Sequence, residues 1–191
     1  TGVRRRMDPH PLLQPLDLAT APAGARAAGE AHARDVAPLT NMKRTLLHAP
    51  AAFDALMTWY PLRDAVRTFL GERATTLFAH AVSAETDCLI CSTFFRRLLV
   101  ESGEDPDALA LSREEAELVA FARALAVTPH QVPERVAAPL RARLADAELV
   151  TLVAFGALMV ATNVVNNVLG VPLDGYLEPY RRAAPPAGGR A

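Results

Sequence analysis

This sequence has few cysteines and few aromatic residues, and its positive and negative charges nearly balance. Two of its 191 residues are cysteine, which excludes the disulfide framework of small secreted domains and favours a reducing, cytoplasmic location. The formal net charge of -1 gives no electrostatic basis for binding nucleic acid. Because Pro9, Pro11 and Pro15 interrupt any early apolar run, no signal peptide is expected.

Runs of β-branched residues are also rare outside the C-terminal third, whereas alanine and leucine are abundant. This composition favours helices, and no segment carries a strand signal strong enough to compete. A chain of 191 residues is long enough to bury one core. The expected fold class is therefore all-α.

Proline, alanine and glycine are concentrated at both ends, which divides the chain into three parts. Residues 1–37 are expected to be a poorly ordered N-terminal extension, in which only the stretch around 21–34 could form a helix. Residues 38–178 are expected to form the helical domain, and residues 179–191 a disordered tail.

Local signals place several helix ends within the domain. Pro50 suits the first turn of a helix, and Gly71 suits a C-terminal cap. Ser112 and Glu115 have the spacing of a capping box. Asp146 is expected to cap the last long helix, which runs to about residue 169.

That last helix carries no formal charge from residue 149 to residue 173, which is long enough to span a bilayer. Asn163, Asn166 and Asn167 would be costly in lipid unless paired, and no basic cluster or aromatic belt brackets the segment closely. We expect a core helix, buried on all sides by its neighbours or by a partner subunit. The asparagines are expected to cap or pair in the core rather than to line a pocket.

Both cysteines lie in one short segment, at Cys88 and Cys91. Thr86 or Asp87 could cap a helix whose first turn carries Cys88. There, the helix dipole and unpaired N–H groups favour the thiolate. Cys91 lies about one turn further on, close enough to close a disulfide ring. The spacing therefore predicts a redox-active pair at the N-terminus of a helix.

Other roles for the pair have less support. If both thiols were inert and buried, nothing would require the only two cysteines to lie three residues apart. A zinc site would need two further ligands. There is no second Cys-x-x-Cys, and no pair at metal-binding spacing occurs among His10, His32, His48, His80 and His130. No metal or other cofactor is expected.

Three stretches make the sequence similar to a known family: Cys-Leu-Ile-Cys at 88–91, Leu-Val-Ala-Phe-Ala-Arg-Ala-Leu at 118–125, and Asn-Val-Val-Asn-Asn-Val-Leu-Gly-Val-Pro-Leu-Asp at 163–174. In this order they resemble the carboxymuconolactone decarboxylase superfamily, and within it the alkylhydroperoxidase D-like branch, over about residues 38–178. The resemblance implies an alkylhydroperoxidase D-like helical bundle with the Cys-x-x-Cys at a helix N-terminus. It also implies a homo-oligomer, such as a trimer or hexamer, that reduces peroxides through the cysteine pair while a glutamate and histidines relay the proton.

The resemblance breaks down at the proton relay. The family's histidine four residues after the second cysteine is replaced by Phe95, and its glutamate twelve residues before the first cysteine is replaced by Thr76. Ile90 lies just before the second cysteine, where some members of the family have a histidine. The sulfurs are present, but the family's relay is not.

Three residues could replace the relay. His80 and Glu72 share a helix face with Thr76, and a histidine with a near-neutral pKa could take the thiol proton. Glu85 precedes Cys88 by three residues. Each also has an ordinary explanation: His80 in helix packing, Glu85 as a solvated side chain, and Glu72 as a favourable charge in a first helical turn.

The attacking sulfur is open to two interpretations. The helix dipole favours Cys88, whereas the resemblance implies that Cys91 attacks the peroxide and Cys88 resolves it. We follow the resemblance.

The predicted function is that of a cytoplasmic thiol-dependent peroxidase, similar to an alkyl hydroperoxide reductase, or of a disulfide oxidoreductase. Its partners would be a peroxide and an external dithiol reductant, with neither nucleic acid nor membrane. The alternative is a degenerate, non-catalytic helical oligomer of the same superfamily that binds a ligand or senses redox state. Lactone decarboxylation, the other activity that the resemblance implies, does not use a cysteine pair and is less favoured.

Overall fold

The structure, a computed structural model, describes residues 11–182, and all regular secondary structure within that range is helical. Its α-helices are α1 Ala23–Asp35, α2 Asn41–Leu46, α3 Pro50–Met57, α4 Trp59–Leu70, α5 Glu72–Glu85, α6 Leu89–Glu101, α7 Arg113–Val127, α8 Glu134–Arg143 and α9 Asp146–Leu169. Short 3₁₀ helices follow α7 at Pro129–Gln131 and α9 at Gly175–Tyr180. The all-α prediction is confirmed.

Most predicted helix ends are also confirmed. Helix α3 begins at Pro50, and α4 ends before Gly71, whose φ of 80° is disfavoured for a residue with a Cβ. Ser112 and Glu115 form the predicted capping box at the start of α7. The predicted cap of α9 is wrong by one position: Asp146 is the first helical residue, and the Ala145 N–H donates to a Glu148 carboxylate oxygen at 2.9 Å.

Helix α1 lies within the predicted N-terminal extension and packs on the rest of the chain. Its Ala25, Gly29 and His32 are buried. A Cβ at Gly29 would lie 2.9 Å from Leu47 Cδ1, so the lack of a side chain permits this close approach. The extension is therefore more firmly attached than its composition indicates. Residues 1–10, and residues 183–191 of the predicted tail, lie outside the described residues.

Helix α5 lies at the centre of the core and packs against α4, α6, α7 and α9. Its Phe78 is fully buried, and the ring centroid lies 5.9 Å from that of Phe155 on α9. A Cβ at Gly156 would lie 2.9 Å from Leu125 Cδ1 and 3.0 Å from Phe78 Cζ. Glycine at this crossing lets α9 approach α5 and α7 closely.

Within this chain, helix α9 is buried along one face only, so burial on all sides would require the partner subunit that the prediction also allowed. The buried face carries Leu152, Phe155, Gly156, Met159, Thr162, Asn163 and Asn166. The opposite face exposes Val150, Val153, Val164 and Val168. Among the described helices, α9 alone is long and apolar enough to cross a membrane, a test of length and composition that core helices of soluble proteins also pass.

Candidate thiol site

The turn between α5 and α6 places Cys88 at the cap of α6 rather than in its first turn. Asp87 has a left-handed φ of 53°, which reverses the chain directly after α5, and the Cys88 N–H donates to the Ser83 carbonyl at 3.1 Å. The predicted caps, Thr86 and Asp87, are therefore wrong. The Thr86 hydroxyl instead donates back to the Val82 carbonyl at 3.0 Å.

The two sulfurs are free thiols with opposite electrostatic environments. The pKa of Cys88 is lowered to about 7, chiefly by a hydrogen bond from the Cys91 thiol and further by the N–H groups of Cys91 and Ile90. Burial of Cys88 acts in the opposite sense. The pKa of Cys91 is raised, because its thiol is the donor in that hydrogen bond and because it is buried. The thiolate is therefore favoured on Cys88, as the dipole argument predicts.

Asn166 on α9 contacts both thiols. Its Nδ2 lies 3.4 Å from Cys91 Sγ and 3.8 Å from Cys88 Sγ. An amide N–H that points at a sulfur favours the charged form. The prediction that this asparagine pairs in the core rather than at a pocket missed its contact with the reactive atoms.

The other two asparagines hold the turn that carries the thiols. Asn163 Nδ2 donates to Thr86 Oγ1 at 2.7 Å, and Asn167 Nδ2 donates to the Thr86 carbonyl at 2.9 Å. Asn163 is fully buried, and this bond satisfies its N–H side, whereas its Oδ1 is buried without a partner. Both asparagines therefore dock the turn onto α9.

A cavity of about 610 Å³ opens beside Cys91. Cys91 and Ile90 form part of its wall, whereas Cys88 does not line it and is fully buried. Apolar and aromatic side chains dominate the lining, among them Met42, Leu56, Trp59, Tyr60, Phe94, Phe95 and Met159. The volume is that of a typical small-molecule site.

Residues far apart in sequence close the outer wall of the cavity. The Asn41 N–H donates to Asp174 Oδ1 at 2.8 Å, and Asn41 Nδ2 donates to the Pro172 carbonyl at 3.2 Å. Asp174 lines the cavity together with Tyr176 and Leu177. The start of α2 is thereby tied to the segment after α9.

The single tryptophan, Trp59, also forms part of the cavity wall. Its indole N–H donates to Met159 Sδ, and its ring centroid lies 6.3 Å from that of Phe95. Sequence reasoning missed Trp59 and the other wall residues of α2 and α4. The Trp-Tyr pair just before Pro61 was the available signal, because large aromatic residues at a helix junction often line pockets.

Two positions depart from the pattern that the resemblance implies: Phe95 is apolar, and the Thr76 hydroxyl forms a hydrogen bond within its own helix. Phe95 lines the same cavity as Cys91 and is 5% exposed, so an aromatic ring occupies the place of the family's histidine. The buried Thr76 donates its hydroxyl hydrogen to the Glu72 carbonyl at 3.0 Å within α5. The structure thus supplies no acid or base at either position.

The three predicted substitutes do not line the cavity. Glu85 Oε1 pairs with Arg123 Nε at 3.3 Å, and Glu72 pairs with Arg67. His80 is half-buried, and burial together with nearby Arg96 lowers its pKa to about 4. Their roles in proton transfer stay predictions.

Within residues 11–182, no group of three or more His, Cys, Asp or Glu side chains could hold a metal ion. In this part of the chain, therefore, the two further ligands that a zinc site would need do not accompany Cys88 and Cys91.

No protein-family model matches the sequence, and no curated protein matches it significantly. A solved structure does match: that of an alkylhydroperoxidase AhpD core from Ralstonia eutropha, described as an uncharacterized peroxidase-related protein. The TM-score is 0.65 at 20% sequence identity, and the match covers 88% of this chain and 96% of that chain. The chain therefore has the alkylhydroperoxidase D-like fold.

Proposed function

We propose that this protein is a thiol-dependent peroxidase that reduces a peroxide with Cys91 and Cys88 and is restored by an external dithiol. One observation carries the proposal: Cys91 lines a substrate-sized cavity while its thiol is hydrogen-bonded to a Cys88 sulfur that favours the thiolate. The shared fold with a peroxidase-related protein adds support.

The hydrogen bond between the thiols suggests how the missing relay is replaced. Cys91 donates to Cys88, whose pKa is about 7, so Cys88 can take the Cys91 proton as Cys91 attacks. The Cys91 sulfur then bonds to the outer peroxide oxygen and the O–O bond breaks. The alkoxide that leaves takes this proton back from Cys88 and becomes the alcohol, so that Cys88 is again a thiolate. Cys91 is now a sulfenic acid.

The second half of the cycle restores the pair. The Cys88 thiolate attacks Cys91 Sγ, the S–S bond forms, and the sulfenic oxygen leaves as hydroxide, which takes a proton and becomes water. Two thiols have then been oxidised and one peroxide has been reduced to an alcohol and water. An external dithiol reduces the disulfide by thiol–disulfide exchange.

The decisive experiment compares wild type, Cys88→Ser and Cys91→Ser for peroxide-driven loss of free thiols and for turnover with a dithiol. We expect Cys91→Ser to lose the reaction. Cys88→Ser should be oxidised more slowly, because it lacks the proton acceptor, and should accumulate a sulfenic acid that dimedone traps. Ser102→Ala, at the opposite end of α6, is the matched control and should react as wild type. A wild type that keeps both thiols in excess peroxide would favour the non-catalytic alternative.

We also propose that the protein is a cytoplasmic homo-oligomer whose subunits meet at the exposed face of α9, with neither lipid nor nucleic acid as partner. Val150, Val153, Val164 and Val168 form an uncharged stripe at helical spacing along this face. Light scattering should give a mass above one chain. Val164→Glu should reduce that mass, whereas Glu114→Gln on α7 should not.

A further inference from the structure

The lining of the cavity is positively charged as well as apolar. Lys43, Arg63 and Arg97 line it, and Asp174 is the one acidic side chain among the lining residues. Apolar walls with a few converging charged groups are typical of sites that orient an amphipathic ligand.

Arg97 leaves a buried N–H group without a partner, and Lys43 donates to one backbone carbonyl and lies over the Tyr60 ring. Lys43 is 3% exposed, and its Nζ donates to the Pro38 carbonyl at 2.7 Å. Burial lowers its pKa to about 8, although Asp174 opposes that shift. The Arg97 Nε is buried without a hydrogen-bond partner, and Arg97 Nη1 reaches Glu101 only at 3.4 Å. A buried donor without an acceptor is costly unless a ligand supplies one.

Two aromatic rings hold the Arg97 side chain at the cavity wall. The Arg97 guanidinium lies 5.2 Å from the Phe94 ring centroid and 5.4 Å from that of Tyr176. A guanidinium held in this way presents its remaining N–H groups in a fixed plane, which suits a carboxylate better than a neutral group.

We propose that the cavity binds an apolar carboxylic acid, with its carboxylate held by Arg97 and Lys43 and its apolar body against Trp59, Phe95 and Cys91. The peroxides that Cys91 reduces would then be acidic organic hydroperoxides rather than hydrogen peroxide. This second statement rests on the proposed peroxidase function, whereas binding of the acid does not.

The single tryptophan makes binding measurable without turnover. Trp59 lies in the cavity wall, so its fluorescence should change when a ligand enters. We would titrate the reduced protein with decanoate, decanol and decyl phosphate, which share one apolar chain. Decanoate should bind on the order of tenfold more tightly than decanol, because a charged hydrogen bond contributes at least that much.

Variants test which groups hold the acid. Arg97→Gln should remove most of the preference for decanoate over decanol. Arg96→Gln is the matched control, because the neighbouring Arg96 pairs with Asp107 and does not line the cavity. Circular dichroism and thermal unfolding show whether each variant is folded, and Lys43→Met provides a second test of the same preference.

Three outcomes would overturn the inference. They are equal affinity for decanoate and decanol, a preference that survives in both folded variants, and tighter binding of decyl phosphate, which would assign a phosphate head instead. The titration needs neither peroxide nor a dithiol, so it separates this inference from the peroxidase proposal: a preference for decanoate in a protein whose thiols resist peroxide would refute the peroxidase proposal alone. For turnover, kcat/KM should fall on the order of tenfold from a fatty-acid hydroperoxide to its methyl ester.

Discussion

Asn166 joins the two sulfurs of the site: its Nδ2 lies 3.4 Å from Cys91 Sγ and 3.8 Å from Cys88 Sγ. Since an amide donor favours a thiolate and a carboxylate disfavours it, Asn166→Asp should raise the pKa of Cys88 by roughly one unit or more. The pH dependence of thiolate ultraviolet absorbance measures this change. Asn167→Asp is the matched control, because Asn167 bonds to the Thr86 carbonyl and not to sulfur. An unaltered titration in Asn166→Asp would refute the assignment.

Introducing the proton relay that the resemblance implies should accelerate the proposed reaction with peroxide. Phe95 lines the cavity with Cys91, so Phe95→His combined with Thr76→Glu would place a base and a carboxylate where the resemblance expects them. We expect peroxide-driven thiol loss to become roughly tenfold faster or more. Burying these polar groups should lower stability by about 1–3 kcal/mol, which thermal unfolding would measure. A folded double variant with the wild-type rate would show that the relay does not limit this protein.

His80→Gln separates the predicted histidine base from proton transfer between the cysteines. The pKa of His80 is lowered to about 4, and the residue does not line the cavity. If Cys88 takes the proton, the oxidation rate and its pH profile should stay within about twofold of wild type. A rate loss of about tenfold or more at neutral pH would instead support the role that the sequence predicted for His80.

Gly156→Ala tests the close crossing of α9 over α5 and α7. The new methyl group would lie 2.9 Å from Leu125 Cδ1 and 3.0 Å from Phe78 Cζ, so the core must shift. We expect a loss of about 1–2 kcal/mol in the free energy of unfolding, because overpacking outweighs the better helix propensity of alanine. At Gly24 in α1 a Cβ meets nothing within 4 Å, so Gly24→Ala should be neutral or slightly stabilising. Urea unfolding of both variants decides the sign.

Lys43 should make stability depend on pH in the alkaline range. Its pKa falls from 10.5 to about 8 on folding. Between these values the unfolded chain binds more protons than the folded one, so this residue's contribution makes stability rise with pH in that window. Lys43→Met lacks this rise and should be more stable near neutral pH by on the order of 1 kcal/mol. Urea unfolding of wild type and variant across the window tests the difference, and parallel curves would contradict it.

Local signals were sufficient for most of the helical framework. A capping box, a proline in a first turn and a glycine after a last turn each act through neighbouring residues, so Ser112, Pro50 and Gly71 could be interpreted correctly. The cap of α6 was missed because it depends on the left-handed backbone of Asp87, which nothing in the neighbouring side chains required.

The composition of the cavity could not be obtained in the same way. Cys91, Trp59 and Asp174 belong to separate elements, and they meet only when the helices pack. Likewise, Asn166 lies 75 positions after Cys91, so its hydrogen bond to sulfur follows from the docking of α9. His80 shares a helix face with Thr76, as its spacing indicates, but spacing does not tell whether that face meets the cavity.

The tie between Asn41 and Asp174 has a consequence for how the protein is made. These residues lie 133 positions apart, so the wall that they close forms only after almost all of the described chain has left the ribosome. Cys88 and Cys91 emerge much earlier, with no cover over them. During synthesis, therefore, the two thiols are exposed to the surroundings of the growing chain until the late segment docks beside them.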